Sequence, residues 1–275
     1  MNVMKAHMNA RSRELRRAIV ETIDKSSRRG HIGAAFSVVE ILSVLYDDIL
    51  RFDPKNPRWH ERDRCILSKG HGCLALYAIL ADKGFFDRSA LSGFCMPDGF
   101  LGGHPEYHKI PGVEASTGSL GHGLSIGVGF AMSARIDKSP RRTFVILGDG
   151  ECNEGSVWEA ALSAGKHKLS SLTILVDYNK QQSYGTTFEV QDLEPFADKW
   201  RAFGFAVRDV DGHDTCALRS ALKECPLDPA KPSVLICNTI KGYGSAITCG
   251  NLAWHHKTKV TEDEIAALMK SLGEE

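Results

Sequence analysis

The sequence predicts an α/β fold, a mostly parallel β-sheet with helices on both faces. Short β-branched runs alternate with helical patterns along most of its length, as crossover-connected strands require. The runs TFVILG (143–148) and LTILVDY (172–178) are almost continuously apolar instead of alternating, which suits strands covered on both faces. No low-complexity tract, internal repeat or long Pro/Ser linker breaks the pattern, so residues 1–275 read as a single domain.

Taken in order, residues 9–27 and 37–49 have the spacing of amphipathic helices, with Val38, Ile41, Leu42 and Leu45 on one face. A short strand is expected at 64–67, followed by a helix over 72–83. GHGLSIGVGFAMSAR (121–135) reads as a Gly- and Ala-rich helix packed close to its neighbours. After the strand at 143–148 come a helix at 156–168, the strand at 172–178 and a helix at 193–203. A strand at 205–210, a helix at 214–224, a strand at 233–240 and a helix at 261–272 complete the series. In such sheets ligands bind beyond the carboxyl ends of the strands. The chemistry is therefore expected in the loops after Leu147, Tyr178 and Ile240.

Composition removes several classes of function. Thirty-four Lys and Arg balance thirty-four Asp and Glu, so no basic field gathers nucleic acid or an anionic membrane. No apolar run approaches the about 18 residues of a membrane helix. The basic start MNVMKAHMNARSRELRRAIV lacks the apolar segment of a secretory signal, and Glu14 and Glu21 favour a surface helix over a transit peptide. Eight scattered cysteines without a C-x-x-C pair fit a reducing cytoplasm and argue against a zinc site or a disulfide framework.

The expected strand-end loops hold the polar and glycine residues. GDGECNEG (148–155) follows one strand and NKQ (179–181) another, so Asp149 and Asn179 lie side by side if their strands are neighbours. A carboxylate, an amide oxygen and a backbone carbonyl form a hard oxygen set suited to Mg²⁺ when phosphates supply other ligands. Gly148 and Gly150 leave room for a diphosphate near the backbone, and a helix starting near Gly155 adds its positive end. A lone G-D-G is most often only a turn, and a lone Asn after a strand only a cap, so the combination carries the reading. Nucleotide fingerprints fail: Gly127 and Gly129 lack the third glycine, and no P-loop occurs.

Histidine is the second constellation. His31, His71, His104, His122 and His255 stand next to or near glycines in loop-like sequence, a setting for phosphate contact or proton transfer near neutral pH. Metal binding by these histidines is the rival reading, and no H-E-x-x-H spacing supports it.

Together these residues resemble the transketolase family, specifically its diphosphate-binding domain, from about residue 10 to 260. GHIG, SKGH, GGHPE, TGSLGHG, GDGE with Asn179 thirty positions beyond Asp149, and NTIKGYGS leading to WHH occur in the family's order. The resemblance implies a thiamine-diphosphate-binding fold in which Asp149, Asn179 and the Gln181 carbonyl hold Mg²⁺, or another divalent ion such as Ca²⁺ or Mn²⁺. It implies that His71, Gly150 and His255 contact the diphosphate, within a cofactor loop that includes Gly148 and Glu151. It implies that the Gly118 backbone and Leu120 meet the aminopyrimidine ring. It further implies that His31, His104 and His255 face a sugar or sugar-phosphate substrate, and that Glu154 matches a carboxylate coupling cofactor sites across a subunit interface.

The implied activity is transfer of a two-carbon ketol (glycolaldehyde) unit from a ketose to an aldose, with the cofactor as electron sink. Where common full-length members read GPLGQG, this chain has Gly118-Ser119-Leu120-Gly121-His122-Gly123, and GHIGAAFS replaces a version richer in Pro and Met. Both departures resemble the separate-subunit branch of the family. The expectation is therefore a partner subunit carrying the pyrimidine-binding domain, in an α2β2 assembly in the cytoplasm. The rival readings are a subunit of a 1-deoxyxylulose-5-phosphate synthase-like or 2-oxoacid-decarboxylating enzyme, and a non-catalytic cofactor-binding or regulatory subunit. GGHPE and WHH favour the transketolase reading.

Overall fold

The structure, a computed structural model, describes residues 8–255 and 257–273. The first seven residues of the basic amino-terminal stretch and His256 of the WHH motif lie outside the described residues.

Among the described residues, five strands form one parallel sheet: β1 (Arg64–Leu67), β2 (Thr143–Gly148), β3 (Leu172–Tyr178), β4 (Ala206–Asp211) and β5 (Ser233–Asn238). Their spatial order is β1-β2-β3-β5-β4. Successive side chains point to opposite faces, and the three central strands are apolar at both phases of that alternation. Phe144, Ile146, Leu175, Leu235 and Cys237 enter one core cluster, while Val145, Leu147, Ile174, Val176, Val234 and Ile236 enter the other. This double burial explains the continuous apolar runs of the sequence.

The first core is covered by α1 (Ala10–Asp24), α2 (Ile32–Phe36), α3 (Val39–Val44), α4 (Cys73–Asp82), α9 (Thr215–Lys223) and α10 (Glu262–Ser271). The second is covered by α5 (His122–Ile136), α6 (Gly155–Lys166) and α8 (Phe196–Ala202). Helix α5 sits so close to β2 that a Cβ at Gly127 would collide with the Val145 side chain, which holds the position to glycine. Asn9 caps α1 by accepting the Ser12 amide at 2.7 Å. Thr261 and Glu264 close a capping box on α10.

The expected elements all appear, with three differences. The helix expected at 37–49 is α3 followed by a wider turn, Leu45–Ile49. The helix expected from 193 begins at Phe196, because Pro195 stands at its cap and the preceding backbone is extended. Two short helices, α2 and α7 (Thr187–Val190), were not anticipated, being too short for a 3.6-residue period to register.

Insertion of β5 between β3 and β4 is what makes the site. It sets the loops after β2, β3 and β5 side by side at the carboxyl edge.

Candidate functional site

Gly148 of β2 pairs with Asp177 of β3, and Tyr178 pairs with Asn238 of β5, so Asp149 and Asn179 leave neighbouring strands, the condition for their lying side by side. The Asp149 carboxylate accepts the Gly150 amide at 2.7 Å and the Lys180 amide. Both carboxylate oxygens are thus oriented by backbone. Burial, and after it the charge of Asp177, pushes the Asp149 carboxyl up to about 7. A carboxylate so disfavoured in its charged form gains more than an exposed one from a nearby cation.

Asp177 organises this corner. Its carboxylate is fully buried and accepts from Ser37 Oγ at 2.7 Å, Asn179 Nδ2 at 3.1 Å and the Thr239 hydroxyl, and it pairs with Lys69. Burial alone would raise the Asp177 carboxyl, but the Lys69 ammonium and these hydrogen bonds hold it below the usual range. With Asn179 Nδ2 committed to Asp177, the amide oxygen turns the other way, where it accepts the Gln181 amide at 3.1 Å. Replacing Asp177 by Asn should therefore misdirect Asn179 and leave Lys69 without its charge partner. We expect metal-dependent cofactor affinity to fall by about 10–100-fold, measured by calorimetry. Unchanged affinity would remove Asp177 from the support of the site.

A cavity of about 370 Å³ lies across these loops. His31, His71, His104, Gly118, Leu120, Gly148, Asp149, Gly150, Glu151, Asn179, Gln181 and His255 all line it. Three imidazoles cluster there, with ring centroids 5.5 Å apart for His31 and His71, 6.0 Å for His71 and His255, and 6.1 Å for His31 and His255. His31 Nδ1 lies 2.8 Å from the His255 carbonyl, which places the proton of the neutral ring on Nδ1 and the lone pair on Nε2. His255 Nε2 lies 3.0 Å from Ser183 Oγ. Burial, followed by the charge of Lys69, holds the His71 pKa well below its usual value, so its ring is neutral at neutral pH. His104 is exposed at the rim, and its carbonyl accepts the Tyr77 hydroxyl at 2.8 Å. Gly118 passes beneath it at φ +146°, where a Cβ would lie 2.9 Å from the His104 ring.

The structure separates the remaining candidates. Glu151 lines the cavity, but its carboxylate accepts from Ser68 Oγ, the Gly121 amide at 2.9 Å and the Gly148 amide at 3.0 Å, which ties the loops together. Glu154 is exposed and outside the cavity, and its side chain has no hydrogen bond or ion pair among the described residues. His122 is likewise exposed and outside. The amino end of α6 does not line the cavity either, because a tight turn over Gly150–Asn153 intervenes before Gly155. Sequence reasoning missed Lys69, Gln182, Ser183 and Lys241 in the wall. Lys69 and Lys241 sit inside SKGH and NTIKGYGS, and their place within those motifs was the available signal; their burial shows only in the structure. Lys241 Nζ donates to the Gln181 carbonyl at 3.0 Å, and burial followed by the charge of Lys69 lowers its pKa to about 8.

A doubly wound parallel sheet with a histidine- and lysine-walled cavity at its carboxyl edge defines an α/β protein that binds a ligand at its strand ends. The profile described as transketolase, thiamine diphosphate binding domain, matches residues 8–275, and the chain belongs to the transketolase family. It is 43% identical over 261 residues to the 6-deoxy-6-sulfo-D-fructose transketolase subunit of Clostridium sp. (strain MSTE9), covering 95% of this chain and 94% of that protein. It is 40% identical over 255 residues to an apulose-4-phosphate transketolase subunit of Phocaeicola vulgatus, covering 93% of this chain and 90% of that protein. The crystal structure of Campylobacter jejuni transketolase superposes with a TM-score of 0.88 at 30% identity, covering 99% of this chain and 43% of that one. The chain thus spans less than half the length of that solved transketolase.

The cavity fits the cofactor of that domain. Gln181 Oε1 and Gln182 Nε2 are buried at its wall without hydrogen-bond partners among the described residues, an acceptor and a donor that a polar ligand would satisfy. No group of three or more His, Cys, Asp or Glu is placed to hold a metal among the described residues. Asp149, Asn179 and Gln181 line the same cavity, so a carboxylate, an amide oxygen and a backbone carbonyl are available at its wall.

Proposed function

We propose that the chain is the cofactor-holding subunit of a two-part transketolase, transferring a two-carbon ketol unit from a ketose to an aldose in complex with a pyrimidine-binding subunit. The observation that carries this reading is the convergence of Asp149, Asn179 and Gln181 with four histidines around one cavity. Two relatives that this chain matches over almost their whole length are named as transketolase subunits, which supports the two-part arrangement. Exposed Ile136 and Leu162 on α5 and α6, with Tyr184 and Phe188 after β3, supply apolar surface for a partner. An α2β2 assembly in the cytoplasm accords with eight free cysteines and with the family's placement of its cofactor between chains. The whole chain then serves as one diphosphate- and metal-binding domain.

Bound thiamine diphosphate supplies a nucleophilic carbon and an electron sink. The chain's own residues hold and orient. Asp149, Asn179 and the Gln181 carbonyl would hold Mg²⁺, or Ca²⁺ or Mn²⁺ in its place. His71, Gly150 and His255 would meet the diphosphate, and Gly118 and Leu120 the ring system. His31, His104 and His255 would bind substrate hydroxyls and move protons, a reading supported by their lining one cavity. Glu154, which is exposed, would make a contact between cofactor sites in an assembly.

Calorimetry of the purified chain with thiamine diphosphate and Mg²⁺, alone and with the candidate partner, tests the reading. Binding that strengthens with the partner, together with ketose-to-aldose transfer, is the expected result. Absence of binding in both conditions would discard it. In the assembled complex, His104→Ala should keep cofactor affinity and lower kcat by about 10²–10⁴-fold, the range of a lost proton-transfer group. Wild-type kinetics would make His104 structural.

A further inference from the structure

A second cavity, of about 290 Å³, adjoins the first. His31, His71 and His104 line both, whereas Asp149, Asn179 and Gln181 line only the first. The histidines therefore divide the metal and diphosphate end from a separate compartment. That compartment is walled by Phe94, Cys73 and Cys95 and rimmed by Arg29, Lys257 and Thr258, with no carboxylate lining it among the described residues. Its two cations differ. Lys257 is engaged, its Nζ 2.6 Å from Glu264 and 4.8 Å from the centre of the Trp254 ring. Arg29 has no hydrogen bond or ion pair among the described residues, although its neighbour Gly30 is clipped to Lys257 by an amide-to-carbonyl bond of 3.2 Å. The backbone under Arg29 is thus fixed while its guanidinium stays available. Burial pushes the Cys95 thiol up and the charge of Arg29 opposes it, which puts the guanidinium field inside the compartment.

We infer that this second cavity is the substrate arm of the site and that Arg29 is a specificity-determining residue for a sugar ending in phosphate or another tetrahedral oxyanion. The inference rests on the transketolase reading and extends it. On that reading the substrate reaches the histidines from a side without the residues for metal and diphosphate, and the second cavity has none of Asp149, Asn179 or Gln181 in its wall. An open-chain polyol fits a wall of imidazoles, a threonine hydroxyl and thiols. A planar guanidinium forks onto two oxygens of a terminal oxyanion, a geometry no neutral hydroxyl reproduces.

The test compares the assembled complex with its Arg29→Ala and Arg29→Lys variants, using D-ribose 5-phosphate and D-ribose as acceptors. For Arg29→Ala we expect the KM for D-ribose 5-phosphate to rise by about tenfold, the loss of one charge-assisted contact, with kcat and the D-ribose kinetics unchanged. Arg29→Lys should recover part of the loss. A second measurement does not depend on turnover. With the purified chain saturated with thiamine diphosphate and Mg²⁺, D-ribose 5-phosphate should protect Cys95 from alkylation, mapped by mass spectrometry. D-ribose should protect less, and Arg29→Ala should abolish the difference. Transfer without a phosphate-selective change in KM, or equal Cys95 protection by both sugars, overturns the assignment of Arg29. Protection of Cys95 without any transfer keeps the cavity assignment and rejects the transketolase activity.

Discussion

Asp149→Ala should abolish Mg²⁺-dependent binding of thiamine diphosphate while leaving the fold intact. The carboxylate is the only acidic candidate of the oxygen set, and its two oxygens are fixed by the Gly150 amide beside it and the Lys180 amide on the neighbouring loop. A direct ligand should cost at least the about 100-fold that outer-shell partners reach. Stability should move little, within about 1 kcal/mol, because two amides lose an acceptor while the repulsion from Asp177 is relieved. Calorimetry with and without Mg²⁺, paired with thermal unfolding of the cofactor-free chain, separates these effects. Retained affinity in a folded variant would remove Asp149 from the metal site.

Glu40→Ala should produce the largest loss of stability. Arg16 and Glu40 are both fully buried and paired through two contacts, Nη1 to Oε1 at 2.6 Å and Nη2 to Oε2 at 2.8 Å. Glu40 also accepts from His213 Nδ1 at 3.0 Å, and His213 Nε2 accepts the Ile240 amide at 2.8 Å. Arg16 in turn donates to the Tyr243 carbonyl at 2.8 Å. The network therefore clamps the segment that carries Lys241 into the cavity wall. Removing the carboxylate strands a guanidinium in the core, at an expected cost of about 3–5 kcal/mol. Urea unfolding measures this, and a loss below about 1 kcal/mol would show that the interior relaxes around Arg16.

The same pair sets an acid dependence. Burial would raise the Glu40 carboxyl, but Arg16 and His213 bring it down to about 2. An unfolded glutamate titrates near about 4.3, so the contribution is complete above that pH and is lost as pH falls toward about 2. The stability gap between wild type and Glu40→Ala should narrow over that window.

Much of the site was legible before folding because its residues follow strands that announce themselves. A strand buried on both faces reads as an unbroken apolar run, and the polar residues after TFVILG and LTILVDY mark the carboxyl edge. Asp149, Asn179 and Gln181 were found on that basis and by resemblance, the histidines at 31, 71, 104 and 255 by their glycine-flanked loops and by resemblance, and all reach one cavity. Asp177 was not found. It sits inside the run LTILVDY, and only its burial beside Lys69, Ser37 and Thr239 makes it the acceptor that turns Asn179. Glu151 was legible as a loop acid, but its bonds to Ser68 and the Gly121 and Gly148 amides are a property of three chain segments meeting.

The sequence by itself determined which elements form and which donors stand at their ends, because local periodicity and glycine placement act over a few residues. Tertiary structure alone decided strand order, since nothing in the local pattern of β5 places it between β3 and β4. That placement brings the loop carrying Lys241 to the Gln181 carbonyl. Packing of the amino-terminal helices on the same sheet sets His31 against the carbonyl of His255, 224 positions away. The physical reason is that burial is satisfied by whole faces and not by residues: any strand apolar on both sides fits the sheet interior, and only the packing of all its helices selects which neighbours it has.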